Sequence, residues 1–321
     1  MVRAVGAGES DVILGAMRQV ALAGGRALSH ADTASIAAAG HYLLRRDGPI
    51  DIGTLPAIEP ADLVAASKGK RELGEEAIKY LAVMALVDGV LDHDKIRRVL
   101  EYARALDIEA AYLTELVEAA SGHMDWVIAD MTRRNFDSVL SRSSQGLDPV
   151  AWILPYAGDK ADPALVARYD ALGKLPQNTF GKAIWDFDKK NGYTFPGDPT
   201  ALNASFATPH DSAHVISGYD TTFRGEILVS TFTAGMHPIN PMAGHILPVI
   251  FNGHLGVKFN DVATPGIGGL DPDEFWHAWA RGREMTVDTF APDWDFWRWV
   301  ERDIDDLRRE WNVTPPGRPQ A

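Results

Sequence analysis

The chain has 321 residues, of which 46% are hydrophobic and 23% charged, and it carries a net charge of −13. Such a composition is ordinary for a soluble globular protein. So negative a chain repels a phosphate backbone, which argues against a nucleic-acid partner, and an anionic membrane surface is disfavoured except through a local patch. There is no cysteine, so disulfides, thiolate metal sites and a cysteine nucleophile are excluded, and any metal must be held by His and carboxylate side chains.

The length favours two domains over one small core. No run of about 18 apolar residues is present, so no membrane span is expected. Residues Met1 to Gly15 lack an apolar stretch of signal-peptide length, which makes the cytoplasm the expected compartment.

Apolar residues recur at three- and four-residue spacing over 12–28, 32–46, 72–88, 93–106, 109–121 and 123–137, which predicts six amphipathic helices. In 93–106 the stripe is Ile96, Val99, Leu100 and Ala103. Turn signals separate these helices: Asp-Gly-Pro at 47–49, Pro56, Pro60 and Asp-Gly at 88–89. The pattern fades in the Ser-rich stretch from 138 onward, so a helical domain over 1–140, a linker over 141–162 and a second domain over 163–321 are expected. In the second half, helices are predicted at 163–172, 179–191, 209–218, 221–235, 242–258, 272–283 and 294–311. No alternating strand of useful length appears, and the class is all-α.

Residues 227–257 contain no Asp, Glu, Lys or Arg, while His237, His245 and His254 are scattered along them. This is a buried core helix or the wall of an apolar pocket; in the second case Met236, Ile239, Met242, Ile246, Leu247, Val249, Ile250 and Leu255 would line it for an isoprenoid tail. Six tryptophans, Trp276, Trp279, Trp294, Trp297, Trp299 and Trp311, crowd the last fifty or so residues. A core role is the first expectation for them, with a homodimer interface or peripheral membrane contact as alternatives.

The segment ATPHDSAHVISGYDTTFRGEILVS carries the chemistry. Thr208 can cap a helix that begins at Pro209. On that helix His210 and His214 point about 40° apart and lie about 6 Å apart along the axis, and Asp211, three residues before His214, joins the same side. Gly218-Tyr219-Asp220 reads as a turn, Asp220 or Thr221 caps the next helix, and Gly225 permits close backbone approach beside Glu226. Two antiparallel helices would then set Glu226 opposite the histidines. Two imidazoles and two carboxylates suit zinc, and also iron or manganese.

HDSAH followed by eleven residues and Glu226 resembles the HDxxH-x11-E signature of the Coq-four family, zinc-containing ubiquinone-biosynthesis proteins. LPQNTFGKAIWDFDKKNGYTFPG (175–197), AWARGREM (278–285) and DIDDLRREWNVTPP (303–316) are similar to other parts of that family, so the likeness covers roughly residues 165–316. The resemblance implies that His210, Asp211, His214 and Glu226 are the metal ligands, with Glu226 and His214 also serving catalysis. It implies an enzyme that removes the carboxylate of a prenylated aromatic acid with hydroxylation at the same carbon, and association with membranes and partner enzymes. A non-catalytic prenyl-lipid-binding scaffold with a structural metal is the alternative; a metal-dependent hydrolase would need further His and Asp ligands that the sequence does not supply.

LVDGVLDHDKIRRVLEYARALDI (86–108) resembles the TerB-like tellurite-resistance helical domain. The resemblance implies a partner-binding or regulatory half. It raises Asp88, Asp92 and Asp94 as cation ligands, against the ordinary preference of acids for a helix start.

Overall fold

The computed structural model describes residues 6–259 and 264–314; the first five residues, and Pro315 and Pro316 of the Coq-four-like tail, lie outside them. Fifteen α-helices and several short 3-10 turns make up the described chain, and no strand is present among the described residues. The expected all-α class holds.

The N-terminal half comprises α1 (Ala7–Ala21), α2 (His30–Tyr42), α3 (Pro60–Ala66), α4 (Arg71–Met84), α5 (His93–Ala105), α6 (Ala111–Ala120) and α7 (Met124–Val139). Helix starts follow local chemistry. Ser29 and Asp32 form a reciprocal capping box on α2, and Asp92 accepts from the amides of Asp94 and Lys95 to open α5. The three acids of the Asp-Gly segment are thereby occupied. Lys95, 1% exposed, places its ammonium 2.9 Å from Asp32 and 2.8 Å from Asp88. Asp92 pairs with Arg26, and Asp94 with Arg97. Asp92 caps the helix as an ordinary helix start prefers, and the alternative cation position is filled by a lysine, because a buried carboxylate pair needs a positive charge and Lys95 supplies it from within the chain.

The C-terminal half comprises α8 (Pro149–Ile153), α9 (Pro163–Asp170), α10 (Phe180–Asn191), α11 (Ala204–Ser217), α12 (Phe223–Met236), α13 (Leu247–Gly253), α14 (Pro272–Glu284) and α15 (Ile304–Glu310). Two predicted long helices are interrupted. The 242–258 helix is a π-helical turn over Pro241–Ile246 followed by the short α13. Asn240, at φ 47°, opens that turn, and its carbonyl accepts from Gly244. The turn is tied to α7, where Asn135 donates to the Gly244 carbonyl (2.7 Å) and Ser138 to the Ile239 carbonyl (2.8 Å). The 294–311 helix is a 3-10 turn at Phe296–Arg298 and then α15, because the closely spaced tryptophans pack on different partners rather than along one stripe.

The larger apolar cluster joins α1–α7 to Ile227 and Ala234 of α12, to Met242, Ile246, Leu247 and Ile250, and to Trp276 and Trp279 of α14. The hydrophobic core is thus continuous across the expected boundary at 141–162. Met242, Ile246, Leu247 and Ile250, expected as candidate groove walls, are buried core residues. Trp276 donates to the Ser35 hydroxyl (2.8 Å), and Tyr80 meets both indoles edge-on. His254 spans the halves as well. Its Nδ1 accepts from the Leu270 amide, so Nε2 carries the proton and donates to the Val87 carbonyl at 3.2 Å. A second cluster of Phe180, Ile184, Phe232, Phe296, Leu307 and Trp311 lies between α10, α12 and the C-terminal segment. Trp276, Trp311 and Trp279 are at most 3% exposed, which accords with the core role expected for the aromatic tail.

The expected linker is a strap. Phe136 of α7 packs on Trp152 of α8 at 4.9 Å, and the carbonyls of Trp152 and Ile153 accept from the side chain and amide of Asn203. Asn203 caps α11, so this strap positions the start of the helix that carries the histidines.

Candidate metal centre

α11 begins earlier than its sequence suggests. Asn203, not Thr208, is the cap, and Pro209 lies inside the helix. Proline removes one helical hydrogen bond and crowds the preceding turn, a cost the fold absorbs near the helix start. The Thr208 hydroxyl is engaged elsewhere, 2.5 Å from the Tyr169 hydroxyl. α11 ends at Gly218, which takes the left-handed conformation (φ 81°) open to glycine. Thr222 then caps α12, accepting from the Gly225 amide at 3.1 Å, where Asp220 or Thr221 was expected. The close approach expected at Gly225 is present: a Cβ there would lie 2.1 Å from the Asp220 carbonyl oxygen.

This turn brings three expected residues together. Their ligand atoms lie within 4.8 Å of one another: one from His210, one from His214 and one from Glu226. The two Nε2 atoms are 3.2 Å apart, His210 Nε2 is 3.4 Å from Glu226 Oε2, and His214 Nε2 is 3.3 Å from Glu226 Oε1. Ligands about 2.05 Å from a tetrahedral ion stand about 3.3 Å from each other, and the closest approaches between the three side chains, which use both Glu226 oxygens, are of that size. His214 Nδ1 faces the Tyr219 carbonyl at 3.1 Å, which can only accept. A proton therefore sits on Nδ1, and Nε2 is the atom turned toward His210 and Glu226, the outer-sphere arrangement found on ligating histidines. Phe187 stacks on His214 at 5.2 Å, and Phe206 stacks on His210 at 5.3 Å.

Asp211 does not join the convergent set. A helix turns about 100° per residue, which carries Asp211 off the His210 side. The charge of a buried acid on α10, Asp188, acts on Asp211, and Asp188 is not among the residues expected from the sequence. Asp188 is 4% exposed and its Oδ1 has no hydrogen-bond partner. The signal was present: Phe180, Ile184 and Asp188 recur at four-residue spacing, so an acid occupies a position of the apolar stripe.

Electrostatics separate the three carboxylates. Burial pushes the Glu226 carboxyl up, but hydrogen bonds from His210 and His214 and their charge outweigh it and hold the group well below the ordinary range. Asp211 is pushed well up by burial, then by the charges of Asp188 and Glu226. Asp188 is pushed up to about 7 by burial, against the opposing charge of Lys189.

The other two histidines of the uncharged stretch belong to a separate buried array. His237 Nδ1 meets Asp288 at 2.7 Å and its Nε2 faces the Ser138 carbonyl at 3.2 Å, while His245 Nε2 lies 2.7 Å from the Ser138 hydroxyl. Burial, then the neighbouring His237, pulls His245 down to about 3. These groups tie α7 to the π-helical turn and to the loop after α14, and neither histidine enters the triangle.

No protein-family model matches the chain, and no curated protein matches it either.

Proposed function

We propose that His210, His214 and Glu226 hold one divalent cation, zinc in the first instance with iron or manganese as other occupants. On this reading the protein is a metal-dependent enzyme that removes the carboxylate of a lipophilic or prenylated aromatic acid, with hydroxylation at the same ring carbon. The observation that carries the proposal is the convergence of the two histidine Nε2 atoms and the Glu226 carboxylate, with closest approaches of 3.2–3.4 Å and no fourth His, Asp or Glu joining them among the described residues. Structural zinc sites are closed by four protein ligands, whereas catalytic sites leave a position for water or substrate. Asp211 stands aside, and the His210 and Glu226 side chains are 23% and 35% exposed, so an outside ligand can reach that position. The scaffold alternative calls for a closed four-ligand site and is disfavoured on the same ground.

The substrate class rests on the likeness of HDSAH and Glu226 to the Coq-four signature. A cation in this site would supply Lewis-acid stabilisation of negative charge on a phenolic or carboxylate oxygen. The protein's own side chains do the rest. Phe187 and Phe206 back the histidines with apolar ring faces that exclude water from that side. Glu226 and His214 would fix the positive centre. Exchange of a ring carboxylate for hydroxyl is a two-electron oxidation, so the reaction also consumes an oxidant such as dioxygen.

The test is elemental analysis of purified protein beside a His210→Ala/His214→Ala double variant and Glu226→Ala. We expect a bound transition metal in the wild type and its loss in the double variant. Glu226→Ala should lower metal content and abolish carbon dioxide release from a prenylated hydroxybenzoic acid. Metal-free wild-type protein after expression and dialysis in metal-supplemented buffer would remove the proposal. Full metal content in Glu226→Ala would take Glu226 out of the ligand set.

A further inference from the structure

The C-terminal end of α11 is held by two arginines from the last part of the chain. A helix leaves its last carbonyls without donors of its own, and in α11 these belong to the turn that carries His214. The His214 carbonyl accepts from the Gly218 amide at 2.7 Å. The next three are taken by guanidinium groups. Arg308 of α15 donates from Nη2 to the Val215 carbonyl (2.9 Å) and from Nε to the Ile216 carbonyl (3.2 Å). Arg281 of α14 donates from Nη2 to the Ser217 carbonyl (2.8 Å).

Arg281 is 2% exposed, and the hydrogen bonds it makes among the described residues end on backbone carbonyls rather than on a carboxylate. Besides Ser217 it binds the Thr314 carbonyl, through Nε at 2.9 Å and through Nη2. Its guanidinium also lies over the Tyr219 ring, 4.9 Å from the ring centre. Tyr219 supplies the carbonyl that faces His214 Nδ1. Burying a cation without an acid stabilises a fold less than an apolar side chain of similar size would. What the planar fork of Arg281 contributes is geometry: it fixes the Ser217 carbonyl, the Tyr219 ring and the C-terminal segment against one another.

We propose that Arg281 and Arg308 are positioning residues of the metal centre. They hold the last turn of α11 and the Tyr219 carbonyl, and so set where His214 Nε2 points and which of its nitrogens keeps the proton. This rests on the reading of His210, His214 and Glu226 as a metal site. Every bond involved acts within five residues after His214, on the same stretch that leads through Gly218 to the Thr222 cap and to Glu226. Ile216 and Ser217 are at most 1% exposed, so water is a poor substitute for the arginines there. The metal centre therefore depends on α14, α15 and Thr314, none of which supplies a ligand.

The experiment loads the chelator-stripped full chain with Co²⁺, whose visible ligand-field bands report the geometry of its ligands, and follows binding by titration of those bands. The variants are Arg281→Lys and Arg308→Lys, with Met17→Ala, in the buried core face of α1, as the control for lost stability. Both arginine variants should bind Co²⁺ about tenfold or more weakly and with shifted bands. Met17→Ala should melt at a lower temperature yet keep the wild-type affinity and bands. Wild-type affinity and bands in the arginine variants overturn the positioning role and leave the metal site standing. An equal loss of affinity in Met17→Ala overturns it too, since general destabilisation would then suffice. Wild-type protein that takes up no Co²⁺ removes the metal site and the positioning role with it. The Arg308 side chain is 26% exposed, so its variant decides the question where Arg281→Lys fails to fold.

Discussion

At the scale of single residues, buried acids that the helix pattern treats as misfits are the informative ones. Asp188 interrupts the Phe180–Ile184 stripe beside the candidate centre. Glu115 does the same in α6, where it is fully buried and both its oxygens lack hydrogen-bond partners, with the Arg134 guanidinium only as near as 3.5 Å. Burial, then the charge of Asp130, pushes Glu115 up to about 8, outweighing Arg134. A carboxyl with a raised folded pKa stabilises the fold fully below its unfolded value and loses that contribution as pH rises through the folded value. The protein should therefore lose stability between about pH 4.5 and about pH 8, by an amount on the order of a few kcal/mol. Thermal melts across that range test this, and Glu115→Gln should flatten the decline. An equal decline in the variant would assign the effect to other groups. His254 and Lys95 show the other outcome for polar residues on apolar faces, since each is fully used as a fastener between elements.

Among the helices, the position of Glu226 depends on how α12 is held. α12 and α14 cross at Gly235 and Gly282, where a Cβ on Gly282 would lie 2.0 Å from the Phe232 carbonyl oxygen and one on Gly235 2.6 Å from that of Trp279. Gly282→Ala must push the helices apart, at a cost of about 1–3 kcal/mol, and should lower both the melting temperature and metal affinity. Gly225→Ala acts more locally. Its Cβ would strike the backbone of Asp220, displacing the turn that sets Glu226 opposite the histidines. It should weaken metal binding at least tenfold by isothermal titration with a smaller loss of stability, and unchanged affinity would show that the turn does not position Glu226. Several helices were legible at this scale because caps and periodicity agree: 93–106 against His93–Ala105, and 272–283 against Pro272–Glu284. The interrupted ones were not. Periodicity over 242–258 cannot show that hydrogen bonds to α7 draw residues 241–246 into a π-helical turn, since those partners lie about a hundred residues away.

Taken as a whole, the molecule shares one core between the two halves. Arg283 of α14 bonds Glu76 (2.8 Å) and the Tyr80 hydroxyl (2.7 Å) of α4, and Trp276 is enclosed by α2 and α4. Such continuity makes unfolding cooperative. Helix content followed by circular dichroism and tryptophan fluorescence should fall in a single coincident transition, and two separated transitions would show that the halves unfold independently. Trp276→Ala opens a large cavity in the shared core and should cost about 3–5 kcal/mol, read as loss of both signals together.

The sequence by itself determined the all-α class, most helix ranges and three members of the candidate centre. Helical periodicity, capping residues and the four-residue spacing of two histidines are local properties of the chain. Only the tertiary structure decided that the halves share a core, that Lys95 occupies the acidic turn, and that Asp211 stands apart from the convergence of His210, His214 and Glu226. Those outcomes depend on which side chains from distant segments meet. A buried charge takes whatever partner the fold brings to it, as Asp32 and Asp88 take Lys95.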